Sequence, residues 1–397
     1  MSVRLLGFVA ALIALLATAL ATGTPIYYLL ALVLIMLMLL SLAGVLWALW
    51  SIKLEIRGLR PRLTRGDTLT TILNVRHRSL LPVAAVRIQL NVPSAYSTSQ
   101  EISVSIPPFR TRTYRHVIRC QHRGAYEVGV TRFRARDLFG LFSVSRKSGM
   151  RLIKVEVYPR VTTVAPIELR ASDVGPELVS RASEDASSPS DVRKWQDGDE
   201  LKKVHWKLTM RKRELMVRTF EESARPDTLI IPDLSAIAAL SDQALTIEDC
   251  ICEACVSAAQ AQLNAGYPVR MPLTCKNPSE IAGQFPQDFP MFLDAMMRVP
   301  FDSPYAYEQV LSLMLARMQR TGGAVLVTSK LTTRVADAAE RMARSGIRTK
   351  LIWVTDSRRT ESLEMIERLK MEGVMVEKAN PWNEAGYASA ETIEGIR

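Results

Sequence analysis

Three short stretches carry residue types capable of chemistry: Cys250, Cys252 and Cys255 in CICEAC, His205 in GDELKKVHWK, and Asp233 with Ser235 in PDLSAI. Clustered thiolates hold zinc or iron–sulfur centres. A histidine near carboxylates serves as a general acid or base. An aspartate and a hydroxyl at a strand end offer oxygen ligands to Mg²⁺, which needs several of them held near octahedrally. The cysteine run reads as one turn of a longer helix, on which positions i and i+2 do not face each other. No second ligand pair follows it, so buried thiols on a packed helix are expected. No phosphate-binding glycine loop, G-x-S-x-G or H-E-x-x-H occurs, and a protein without catalytic residues of its own is expected.

The elements around His205 bear on its role. Asp197 with Glu200 resembles a capping box, after which Leu201, Val204, His205 and Leu208 fall at i, i+3, i+4 and i+7 of a short helix. That spacing places His205 on the apolar face as a buried or interfacial ring with one satisfied nitrogen. The alternative is an enzyme using His205 with Asp199 or Asp197 at the junction of two domains. Trp206, among Lys202, Lys203 and Lys207, is either a partner-binding anchor or a ring half-covered by lysine stems. ELMVRTF then alternates as a strand, with Leu215 and Val217 to one side and Met216, Arg218 and Phe220 to the other.

Between Leu5 and Trp50 there is no Asp, Glu, Lys or Arg. Leu5 to Ala21 and Ile26 to Trp50 each suffice for a membrane span, with TGTP as the reversal between them. Arg4 precedes the pair and Lys53, Arg57, Arg60, Arg62 and Arg65 follow it, so the positive-inside rule puts both termini in the cytoplasm of a multi-pass protein of the cell (inner) membrane. Five cysteines without framework spacing suit a reducing compartment. Residues 51–160 hold 21 Lys and Arg against 6 Asp and Glu, whereas residues 226–397 hold 17 against 22. A cationic surplus confined to the segment leaving the span points to the lipid surface rather than nucleic acid.

The organisation expected is a transmembrane hairpin (1–50), a basic antiparallel β-sandwich (51–160), a linker (161–191), a helix–strand segment (192–225) and an α/β domain with a mostly parallel sheet (226–397). Within the last, Pro272 either puts its strand at a sheet edge or breaks it.

VRKWQDGDELKKVHWKLTMRKRELMVRTFEE resembles the signature of the family known as domain of unknown function 58, through Arg193, Gly198, Asp199, His205, Trp206, Lys207, Arg211, Leu215, Val217 and Arg218. Trp195 stands where that family usually has Tyr, and Met210 where it often has Ala. Upstream, HRGAYEVGVTRFRARDLFGLF is similar to its Arg-Gly-x-Tyr and Asp-x-Phe-Gly-Leu-Phe segments. The resemblance implies a von Willebrand factor A-like C-terminal domain, in which Asp233 and Ser235 fit an Asp-x-Ser-x-Ser metal motif but Ile237 replaces its second serine. It also implies a scaffold role beside a MoxR-type AAA+ ATPase and a transglutaminase-like membrane protein, with Arg193, Trp195, Asp199, Trp206 and Lys207 shaping the contact.

Overall fold

The charge-free stretch from Leu5 to Trp50 lies within two helices, α1 (Val3–Thr22) and α2 (Pro25–Ser51), each long and apolar enough to cross a bilayer. The computed structural model describes residues 3–78, 83–92, 99–106, 109–137, 139–169, 191–195, 204–219, 226–318, 321–355 and 360–382. Gly23 makes the reversal at φ 63°, in the left-handed region that favours glycine, and its N–H donates to Ala19 O at 2.9 Å. Pro25 opens α2, where its missing N–H costs nothing. The chain divides into two units, Met1–Tyr158 and Pro159–Arg397.

In the first unit α2 runs without a linker into β1 (Ile52–Arg57). Eight more strands follow: β2 (Arg62–Thr64), β3 (Thr68–His77), β4 (Val83–Asn91), β5 (Ser99–Ile106), β6 (Thr111–Arg119), β7 (Gly124–Arg136), β8 (Ser143–Lys147) and β9 (Ile153–Tyr158). They form one sheet ordered β1-β3-β6 and another ordered β2-β9-β7-β4-β5, with β8 on β7. Every described pairing is antiparallel except β2 with β9. Along β3 the odd-numbered residues from Leu69 to His77 are buried, the period of two that one covered sheet face requires. The two sheets share a core in which Leu69, Leu73 and Val75 meet Val86, Ile88, Val130 and Val155. Val45, Ala48 and Leu49 of α2 belong to the same core, so the last two turns of the helix are part of the β unit.

The second unit opens with β10 (Asp191–Lys194), α3 (Trp206–Lys212) and β11 (Met216–Thr219). An alternating run follows: β12 (Asp227–Pro232), α4 (Ser241–Asn264), β13 (Val269–Leu273), β14 (Ser279–Gly283), α5 (Phe289–Arg298), α6 (Tyr307–Leu315), β15 (Thr321–Thr328), α7 (Thr333–Arg344), β16 (Arg348–Val354), α8 (Thr360–Met371) and β17 (Met375–Ala379). The sheet order is β14-β13-β12-β15-β16-β17. The sheet is mixed: its pairings are parallel except at the edge, where β14 runs antiparallel to β13. Alternate residues of β12 feed separate cores, Ile230 on the face covered by α4 and α5, Leu229 and Ile231 on the face covered by α6, α7 and α8.

Two expectations require correction here. Pro272 does not mark a sheet edge, because β14 adds outside it by pairing Pro272 with Glu280. The proline is tolerated because β13 meets β12 only through Val269 and Arg270, before the missing N–H. Residues 161–169 were expected to begin a linker, yet Val164, Ile167 and Leu169 are buried in the core under α4. Tyr267 Oη donates to Leu169 O at 3.1 Å and Lys350 Nζ to Ala165 O at 3.3 Å. A Cβ on Gly323 would lie 2.9 Å from Leu169 Cδ2, so the glycine leaves the space that Leu169 fills. Residues 170–190 of the expected linker lie outside the described residues.

Candidate docking surface

The signature segment is organised by backbone pairing. β10 and β11 form an antiparallel ladder with Arg193 opposite Val217 and Val192 opposite Arg218, and Trp195 N–H extends it to Leu215 O at 2.9 Å. Val204 forms a bridge with Val217, and His205 N–H donates to Met216 O at 2.7 Å. The helix therefore starts at Trp206, later than the apolar spacing suggested, because Val204 is held in extended pairing before the turn begins. The expected capping pair Asp197 and Glu200 lies outside the described residues, as do Gly198, Asp199 and Leu201.

His205 is the N-cap of α3, where its Nδ1 accepts from Leu208 N–H at 3.2 Å. It is half-buried rather than packed on a helix face. A capping Nδ1 must present its lone pair, which fixes the neutral ring as the tautomer carrying hydrogen on Nε2. Among the described residues no carboxylate is hydrogen-bonded to it. At the other end Thr209 Oγ1 accepts from Met216 N–H at 3.1 Å, and Arg213 closes α3 in the left-handed region at φ 56°. Met216 and Val217 are both buried and Leu215 is exposed, which departs from the strict alternation expected of the strand.

No residue of α3 is buried. Trp206 is 61% exposed and Met210, one turn on, 81% exposed. Lys207 and Arg211 are exposed beside them at the same spacing. The result is an apolar pair flanked by two cations, standing on a short helix held by its ends. Lys194 and Glu214 pair at 2.7 Å at the base of the ladder, both well exposed.

The second place of interest is the carboxyl end of β12 and β15. Asp233 is buried, and both its oxygens are engaged within the chain. Oδ1 accepts from Ser235 N–H at 3.1 Å and Ser235 Oγ at 2.6 Å, while Oδ2 accepts from Thr328 Oγ1 at 2.7 Å. Lys330 Nζ donates to Ala236 O at 3.2 Å over the same loop. Tyr307 donates to Ile231 O at 2.7 Å, and burial, then the nearby Asp233 charge, pushes its phenol well above the ordinary value. Ile237 packs on the core where a metal motif would place a hydroxyl. One carboxylate closed on two hydroxyls, with a lysine amine above the loop, does not fit Mg²⁺. Asp233 caps the turn after β12 instead.

Cys250, Cys252 and Cys255 lie on α4 and are buried in the core between helix and sheet. In the first unit, the Asp137–Phe142 turn joins β7 to β8. Phe142 N–H donates to Asp137 Oδ1 at 3.0 Å, and Gly140 turns at φ 71°. The other oxygen of Asp137 accepts from Ser41 Oγ of α2, and Arg4 Nη1 reaches Phe139 O at 3.3 Å. The turn is thus fastened to both helices. Sequence reasoning quoted these residues without assigning that role, since a serine within an apolar span gives no hint of its partner.

Residues 191–377, from β10 into β17, match the model of a family described as protein of unknown function DUF58. The matched segment contains α3, the Asp233 loop and the whole mixed sheet except the last two residues of β17. No curated protein matches the sequence. Solved structures with some likeness include a CARDB domain from Pyrococcus furiosus, 15% identical over 27% of this chain and 86% of its own, at a TM-score of 0.20. A β-glucosidase from Listeria innocua is 13% identical over 27% of this chain and 16% of its own, at 0.18. Cwp6 from Clostridium difficile is 8% identical over 82% of this chain and 53% of its own, at 0.19. TM-scores this low establish no shared fold with either unit.

Proposed function

We propose that the protein is a membrane-tethered cytoplasmic scaffold whose DUF58 segment docks a protein partner through α3. The observation that carries this is a helix with no buried residue that nevertheless bears a tryptophan and a methionine one turn apart, rimmed by Lys207 and Arg211. An exposed Trp beside cations has the composition of an interface hot spot. It suits a partner offering an apolar pocket with an acidic rim.

The tether is α1 and α2, with both chain ends in the cytoplasm and the cationic β unit against the anionic leaflet of the inner membrane. The second unit is read as von Willebrand factor A-like, on the strength of β12 followed by Asp233 and Ser235 at the sheet's carboxyl end. By family analogy the partner is a MoxR-type AAA+ ATPase, with a transglutaminase-like membrane protein in the same assembly. The test is affinity capture from detergent-solubilised membranes with and without ATP, using the wild type and Trp206→Ala. An AAA+ ATPase captured by the wild type and lost from the variant is expected. An eluate without one under either condition refutes the reading.

A further inference from the structure

Three chain segments meet where α2 ends. Arg78 N–H donates to Ser51 O at 3.3 Å, and His77 N–H donates to Arg110 O at 3.0 Å. The last residue of α2, the end of β3 and the Phe109–Arg110 turn before β6 therefore lie side by side. Beside them is a groove of about 470 Å³ lined by Ala43, Leu46, Trp47, Trp50, Ser51 and Arg78.

The burial of this part of α2 is inverted for a protein in water. Val45, Ala48 and Leu49 are buried in the β core, while the larger Trp47 and Trp50 stay 65% and 85% exposed. Phe109 is exposed as well. Tyr27 and Tyr28 occupy the opposite end of the helix, and the some twenty residues between the two aromatic groups rise about 30 Å, the thickness of a bilayer's hydrocarbon. Aromatic side chains at both ends of such a span mark the headgroup level. About one turn before Ala43 on α2, Leu39 and Leu40 are exposed on the charge-free part of the helix. Its mouth is cationic: Arg78 and Arg110 are exposed there, with Lys53 and Arg76 exposed on the adjoining strands.

We infer that this groove binds an anionic phospholipid, with acyl chain along Ala43, Leu46 and Trp47 and headgroup phosphate on Arg78. The inference rests on the tether reading above and assigns it a specific lipid site. A second copy of this chain is the poorer occupant, because residues 51–160 carry 21 basic against 6 acidic residues and would bring like charge to a cationic mouth.

The test is native mass spectrometry of the detergent-purified full chain, given phosphatidylglycerol or phosphatidylcholine with the same acyl chains. The wild type is expected to retain phosphatidylglycerol in preference. Arg78→Gln should cut that retention about fivefold, as loss of one cation near a headgroup implies, and Arg78→Lys should restore most of it. Trp47→Ala with Trp50→Ala should weaken both lipids. Equal retention of the two lipids by the wild type, no response to Arg78→Gln, or a dimer dissolved by Trp50→Ala overturns the site. Alkaline carbonate washing of membranes separates the two readings: release of the wild type refutes the tether, whereas a retained wild type with an unresponsive Arg78→Gln refutes the lipid site alone.

Discussion

Every residue of α4 from Cys250 to Val256 is buried, with the three thiols of CICEAC among them, whereas none of the seven residues of α3 is buried. The two helices carried the sequence's main chemical suspicions, and they differ in access rather than in residue type. Cysteine at i, i+2 and i+5 resembles a ligand set, but on a single helix it is expected to pack, and between a sheet and α5 each thiol is one more core side chain. A tryptophan among lysines leaves an anchor and a covered ring both open, and here the ring is exposed. What a reactive or adhesive side chain can do is settled by which face of its element is occupied.

The comparison can be broken from either side. Ile251→Ala should destabilise the full chain by about 2–5 kcal/mol in urea titrations followed by near-ultraviolet circular dichroism, and an unchanged midpoint would mean that α4 is not closed. Trp206→Ala with Met210→Ala should leave stability within about 0.5 kcal/mol yet weaken partner capture by about 2 kcal/mol or more, read as a shift in the pull-down titration. Asp233→Ala removes the acceptor of the buried Thr328 hydroxyl and of the half-buried Ser235 donors and should cost about 1–3 kcal/mol, while added Mg²⁺ should not raise the wild-type melting temperature.

The smaller effects refine α3 and the acid response. His205→Ala should lose about 1 kcal/mol of stability and His205→Asn considerably less, since an Asn oxygen also accepts at an N-cap. Asp288 is held below the usual carboxylate range by the N–H groups of Phe285 and Gln284, and Glu372 by its hydrogen bonds from Arg344. Both folded values are depressed, so their stabilisation is present above the ordinary pKa of about 4 and disappears as the pH falls through the lowered values. Asp288→Asn and Glu372→Gln should therefore flatten the decline in melting temperature on acidification from about pH 6 to about pH 3. A decline as steep as the wild type's would assign the acid sensitivity elsewhere.

Much of this architecture was legible because burial imposes a period. The alternation in Thr68–His77, the apolar run from Ala324 to Val327 and Gly266 marked β3, β15 and the end of α4. What escaped was decided by contacts distant in sequence. Ser279–Gly283 is a polar edge strand whose pairing with β13 has no local signal, and Leu169 gains its place from Gly322 and Gly323, more than 150 residues on. Val204 had the right spacing for the helix and was claimed by Val217 instead. In the candidate surface, the segment itself could be found from its residue types. Its exposure could not, since an amphipathic pattern says that one face is apolar and not whether anything covers it.

The junction of Ser51 with Ile52 has a mechanical corollary. With no swivel between rod and strand, and with Val45, Ala48 and Leu49 keyed into the β core, turning α2 about its long axis must drag β1 and, through their six-pair register, β3. The helix is thus a drive shaft locked to its load, and torque applied at one end is delivered to the sheet at the other.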